Sequence, residues 1–108
     1  MPNSSRDVIV RTSDLAAAER YYGTVLGFAV CHRGTGIVGF ETGAFRLYVE
    51  FGPAHGPVFE LLVADVEATR TRLLDAGCVL VEEDRGAPRC YLRDPYGVTY
   101  NIGRTPAP

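Results

Sequence analysis

The feature that most constrains this chain is an internal repeat. Val8-Ile9-Val10-Arg11-Thr12-Ser13-Asp14-Leu15 and Phe59-Glu60-Leu61-Leu62-Val63-Ala64-Asp65-Val66 each read as a short apolar strand running into an Asp-led helix, 51 residues apart. Gly27 and Gly77 follow the two helical stretches about one repeat apart. A repeated unit of this length is a supersecondary module, so the chain must fold as two copies of one motif.

The first helix is expected to start at Ser13 or Asp14, whose side-chain oxygen can accept an orphan backbone N–H, and to stop at Gly27, which tolerates the left-handed conformation. Leu15, Ala18, Tyr22, Val25 and Leu26 fall at helical spacing and form its apolar stripe. The second helix repeats the plan, with Asp65 as cap, Val66, Leu73, Leu74 and Ala76 turned inward, Arg70 and Arg72 turned to solvent, and Gly77 as the stop.

Three strands are predicted after each helix: 29–33, 37–41 and 45–51, then 79–83, 89–93 and 98–102. Between the last two, Asp94-Pro95-Tyr96-Gly97 carries the chemistry of a type I turn. Each half therefore reads βαβββ, with module one at 6–51, a Gly-Pro-rich linker at 52–57 and module two at 58–104.

Composition narrows the function. A chain of 108 residues, 46% hydrophobic, supports one domain with a thin core, so pairing into a homodimer is expected. A net charge of −2 with interspersed signs predicts no nucleic-acid partner. No apolar run approaches the length of a membrane span and the start lacks a signal-peptide core, so no membrane partner and a cytoplasmic location are expected. Cys31, Cys78 and Cys90 match no disulfide or zinc spacing and read as buried strand thiols.

The stretch from Val10 to Phe28, with "SDL" and "RYYGTVLGF", and the ending "RDPYGVTYNI" from Arg93 to Ile102 resemble the two signature regions of the vicinal oxygen chelate superfamily, which includes glyoxalases, bleomycin resistance proteins and dioxygenases. The resemblance covers about Arg6 to Arg104. It implies an α+β fold in which paired βαβββ modules form an open half-barrel cleft, within one chain or by swapping modules between two. Function does not follow from that fold, which hosts isomerases, dioxygenases, epimerases, thiol transferases and non-catalytic drug binders.

Strand alternation then places side chains. Val8 and Val10 go under the first helix and leave Asp7, Ile9 and Arg11 in the cleft. Phe45, Leu47 and Val49 face the helix and leave Arg46, Tyr48 and Glu50. In the second module Phe59, Leu61 and Val63 are covered, leaving Val58, Glu60 and Leu62. Val98, Tyr100 and Ile102 are core, leaving Thr99 and Asn101.

The positions that resemble the family's metal ligands are Asp7, Tyr48, Val58 and Asn101. Valine cannot coordinate, a phenol is a poor ligand unless ionised, and one Asp with one Asn lacks the nitrogen or charge of transition-metal sites. No metal and no cofactor are therefore expected, although a two-residue register slip would offer Asp7, Glu50 and Glu60 as an all-carboxylate set.

The expected ligand-binding residues are Asp7, Ile9, Arg46, Tyr48, Glu50, Val58, Glu60, Tyr91, Arg93 and Asn101. Tyr48 and Tyr91 either stack on a ligand or pack as ordinary strand aromatics. Asp7, Glu50 and Glu60 either meet a cationic ligand or, for Asp7, form a salt bridge with Arg46 or Arg93. His32 and His55 are placed away from the site, and no catalytic residue is assigned.

The leading expectation is metal-independent binding or sequestration of a small molecule, an antibiotic among the candidates. One alternative is a lyase or isomerase using Asp7, Glu60 and Tyr48, or a weak divalent site. Another is a non-catalytic dimerisation subunit with a vestigial cleft.

Overall fold

The computed structural model describes residues 2–86 and 89–106. Two βαβββ modules follow one another, as the repeat requires. Among the described residues, one compact unit is Arg6–Pro57, and the other joins residues 2–5 to those from Val58 onward.

Module one contains β1 (Asn3–Thr12), α1 (Leu15–Glu19), a π-helical segment (Arg20–Val25), β2 (Ala29–Gly34), β3 (Ile37–Glu41) and β4 (Arg46–Phe51). Its strands run in the order β2-β3-β4-β1, with β1 parallel to β4 and the other pairs antiparallel. Module two contains β5 (His55–Val63), α2 (Val66–Asp75), β6 (Val79–Asp84), β7 (Arg89–Arg93) and β8 (Thr99–Arg104). It repeats the order as β6-β7-β8-β5, with β5 parallel to β8. β5 opens at His55, so three residues expected in the linker are strand.

Asp14 and Asp65 cap the two helices by accepting from the backbone N–H of Ala17 and Ala68, each at 3.0 Å. Gly27 and Gly77 follow at φ +77° and +106°, a conformation that disfavours other residues. The Asp94 turn closes as expected, with Gly97 N–H on Asp94 O at 3.2 Å and the Asp94 carboxylate accepting from Tyr96 and Val98.

Each helix covers one face of its own sheet. In module one Val38, Phe40, Leu47 and Val49 are buried, with Val8, Val10, Leu15, Ala18, Tyr22 and Phe28 packed on them. In module two Val63, Cys90, Leu92 and Ile102 are buried under Leu61, Val66, Leu73, Leu74, Cys78 and Tyr100.

Several expectations are corrected. The first helix widens after Glu19, with Leu26 N–H bonding Tyr21 O five residues back, and this turns Val25 and Leu26 out of the apolar stripe to 70% and 47% exposure. Phe45 and Phe59 lie beyond the patches that the helices cover and are exposed. Ala76 is exposed, whereas Arg70 is held by Glu83 through two hydrogen bonds of 2.8 and 3.0 Å. Cys31 is an exposed thiol rather than a buried one.

Candidate functional site

The face of each sheet opposite its helix is where the expected site residues lie. Pairing across module one sets them in three rows: Asp7, Arg46 and Glu41; Ile9, Tyr48, Gly39 and His32; Arg11, Glu50, Ile37 and Gly34. Module two has matching rows of Val58, Thr99, Arg93 and Val79, and of Glu60, Asn101, Tyr91 and Glu82. Asp7, Ile9, Arg46, Tyr48 and Glu50 are thus brought together on one face. Val58, Glu60, Asn101, Tyr91 and Arg93 share the corresponding face of their own module.

The middle rows solve one packing problem in two ways. In module one the ring comes from β4, and Tyr48 lies so close over Gly39 that a Cβ there would stand 2.8 Å from its Cε1. In module two the ring comes from β7: Tyr91 is paired with the smaller Asn101 and is 2% exposed. The Arg89 guanidinium stands 5.8 Å from the Tyr91 ring centroid and is itself paired with Glu82 at 3.0 Å.

His32 lies on this face beside Tyr48, where the sequence reading did not place it. A register irregularity between Val30 and His32 takes Cys31 out of the pairing and puts His32 opposite Gly39. Its ring centroid is then 5.9 Å from that of Tyr48. Module two has the same irregularity between Leu80 and Glu82, which sets Glu82 opposite Tyr91. Simple alternation would have placed Cys31 and Val81 on these faces. No turn residue or glycine stands next to either irregularity to mark the extra residue.

The charges on the module-one face are already matched. Arg46 Nε stands 2.8 Å from Asp7 Oδ1, an ion pair that lacks the alignment of a hydrogen bond. Arg11 Nε meets Glu50 Oε1 at 3.2 Å. Arg6 reaches Glu41 Oε1 at 2.5 Å and Gly43 O at 2.9 Å. Of the two salt bridges open to Asp7, the one with Arg46 forms, because parallel pairing sets the two residues side by side. Burial, with a smaller contribution from Asp7, pushes the Tyr48 phenol above its ordinary value and keeps it a neutral donor.

These environments do not fit a divalent metal at the four family-derived positions. Val58 is a hydrocarbon at 1% exposure. Asp7 is paired with Arg46, and the Tyr48 phenolate is disfavoured. The Asn101 amide oxygen accepts from Cys90 N–H at 3.0 Å while its nitrogen donates to Glu60 at 3.4 Å. Among the described residues no three His, Cys, Asp or Glu side chains gather to hold a metal ion.

The Glyoxalase-like domain model matches residues 7–103. The chain belongs to the glyoxalase-like domain family. Solved structures place this glyoxalase-like chain on the vicinal oxygen chelate fold. A glyoxalase/bleomycin resistance protein/dioxygenase superfamily member from Vibrio splendidus 12B01 shares 15% identity at TM-score 0.66, covering 97% of this chain and all (100%) of that one. A hypothetical protein from Bacillus halodurans C-125 shares 12% identity at TM-score 0.66, with 99% and 96% covered. Homoprotocatechuate 2,3-dioxygenase from Brevibacterium fuscum matches at 18% identity and TM-score 0.61 over 93% of this chain but 31% of its own. No curated protein is detectably similar in sequence. At these identities the likeness is one of fold. Among the described residues, no helix is long and apolar enough to cross a membrane.

Proposed function

We propose that this glyoxalase-like protein binds a small organic molecule without a metal, holding an antibiotic or a pathway intermediate, and acts as a cytoplasmic homodimer. The observation that carries the reading is the module-one face. Its one carboxylate at a family ligand position, Asp7, is neutralised by Arg46, while the Tyr48 ring with Ile9 and His32 offers an apolar and aromatic surface beside polar groups. Apolar walls with a few convergent polar groups are what a small-molecule site needs. Asp7 and Glu50 are tied to arginines and Asn101 to Glu60, so these side chains are committed to other partners rather than to holding the metal ion that would polarise a substrate oxygen as a Lewis acid.

The test is a thermal-shift screen of EDTA-treated protein against aromatic natural products, glycopeptide antibiotics among them, followed by mass spectrometry of the recovered compound. Stoichiometric retention of an unchanged compound supports binding. Turnover of a compound by sub-stoichiometric protein would make this an enzyme and overturn the reading.

A further inference from the structure

The bound molecule has a chemical class that the module-one face identifies. We propose that it is an aromatic carboxylate, with the anionic group received by Arg46 and the Tyr48 hydroxyl and the ring packed beside them against Ile9 and His32. The inference rests on the small-molecule reading above and names the ligand of that same site.

Unspent hydrogen-bonding capacity carries the argument. The acidic groups of this face already have cationic partners: Asp7 has Arg46, Glu50 has Arg11, and Glu41 has Arg6. A cationic ligand would have to displace one of these arginines. The donors are less committed. Arg46 meets Asp7 through Nε, its Nη groups make no hydrogen bond among the described residues, and its side chain is 41% exposed. The Tyr48 hydroxyl likewise has no hydrogen bond among the described residues.

Arg46 and Tyr48 are two residues apart on β4 and on the same face, so their Cα atoms stand about 6.5 Å apart. Both side chains therefore rise from one face, near enough for one small ligand to meet both. The guanidinium presents its remaining N–H groups as a planar pair suited to two carboxylate oxygens, and Asp7 holds it in place beforehand. Ile9 beside Tyr48 and His32 across Gly39 supply the apolar and aromatic contacts for the ring.

The probe is benzoate, compared with the neutral benzyl alcohol and the cationic phenethylamine, each titrated into isotope-labelled protein. The amides of Gly39, beneath Tyr48, and Gly34, beside His32, report on the face. Benzoate is expected to shift these resonances and to bind at least tenfold more tightly than either comparison probe. Tyr48→Phe keeps the ring and should weaken benzoate several-fold. Arg46→Lys keeps the charge beside Asp7 but removes the planar donor pair, and should weaken it about tenfold while the unliganded spectrum stays dispersed.

Phenethylamine binding more tightly than benzoate at these resonances, or an Arg46→Lys protein that binds benzoate unchanged, would overturn the carboxylate inference and leave the small-molecule reading standing. If none of the three probes moves the Gly39 and Gly34 resonances, both the inference and the assignment of binding to this face fail.

Discussion

Asp7 and Arg46 sit side by side across the parallel strands β1 and β4, with Oδ1 and Nε 2.8 Å apart. A carboxylate at a position that resembles a family metal ligand is thereby joined to a cation supplied by the chain itself. With 25% of the Asp7 side chain and 41% of the Arg46 side chain exposed, the pair is well screened, and its energetic worth is small. A double-mutant cycle of Asp7→Asn and Arg46→Gln, read by urea denaturation, should give a coupling of about 0.5–1 kcal/mol. A coupling near zero would contradict this expectation.

Gly39 is required by the ring above it. A Cβ at this position would lie 2.8 Å from Tyr48 Cε1 and 3.1 Å from His32 Cβ, so Gly39→Val must push the aromatic pair off the sheet. The expected cost is about 1–3 kcal/mol, with a changed near-ultraviolet tyrosine signal. Tyr48→Ala in the same protein should return most of that loss, because the clash is with the ring. A cost that persists without the ring would place the strain in the backbone instead.

Phe40 on β3 and Leu92 on β7 hold corresponding places in the two modules, each at 0% exposure. Phe40→Ala should cost about 3–5 kcal/mol and Leu92→Ala about 2–5 kcal/mol in thermal or chemical denaturation. A loss under 1 kcal/mol at either would contradict the packing described under its helix.

The Tyr100 hydroxyl donates to Asp94 Oδ2 at 2.5 Å in the turn between β7 and β8. This bond, aided by backbone N–H groups, holds the Asp94 carboxyl below its ordinary value, and the same bond with burial raises the Tyr100 phenol to about 12. The two ends of the pH range therefore act oppositely. The Asp94 contribution is present above its ordinary value of 3.8 and is lost as acid protonates the folded carboxylate. The Tyr100 contribution is complete below 10.0 and is lost as pH climbs from there through about 12. The stability difference between wild type and Tyr100→Phe should be flat between these limits and shrink beyond each. In an absorbance titration Tyr100 should ionise after tyrosines of ordinary pKa, and its early ionisation would contradict the bond.

The sequence made the repeat legible because each module is opened by local chemistry. Asp14 and Asp65 cap their helices with the same bond, and alternation puts Val8, Val10, Leu61 and Val63 under the helices as expected. Irregular backbone was what stayed hidden. The extra residues Cys31 and Val81 turn His32 and Glu82 onto the site faces, and a register shift of one residue reverses every side chain beyond it. The widened turn at Arg20–Val25 likewise defeats a stripe counted at 3.6 residues per turn. Tyr22 nevertheless keeps its core place, its ring centroid 5.8 Å from that of Phe40.

Metal independence is the central claim, and isothermal titration of EDTA-treated protein with Mn²⁺, Fe²⁺, Ni²⁺ and Zn²⁺ tests it most directly. The pairing of Asp7 with Arg46, the protonated Tyr48 and the committed Asn101 amide predict no one-to-one binding heat that Asp7→Asn abolishes. A saturable, stoichiometric metal site that disappears with Asp7→Asn would contradict the account and restore metal-dependent chemistry to this fold.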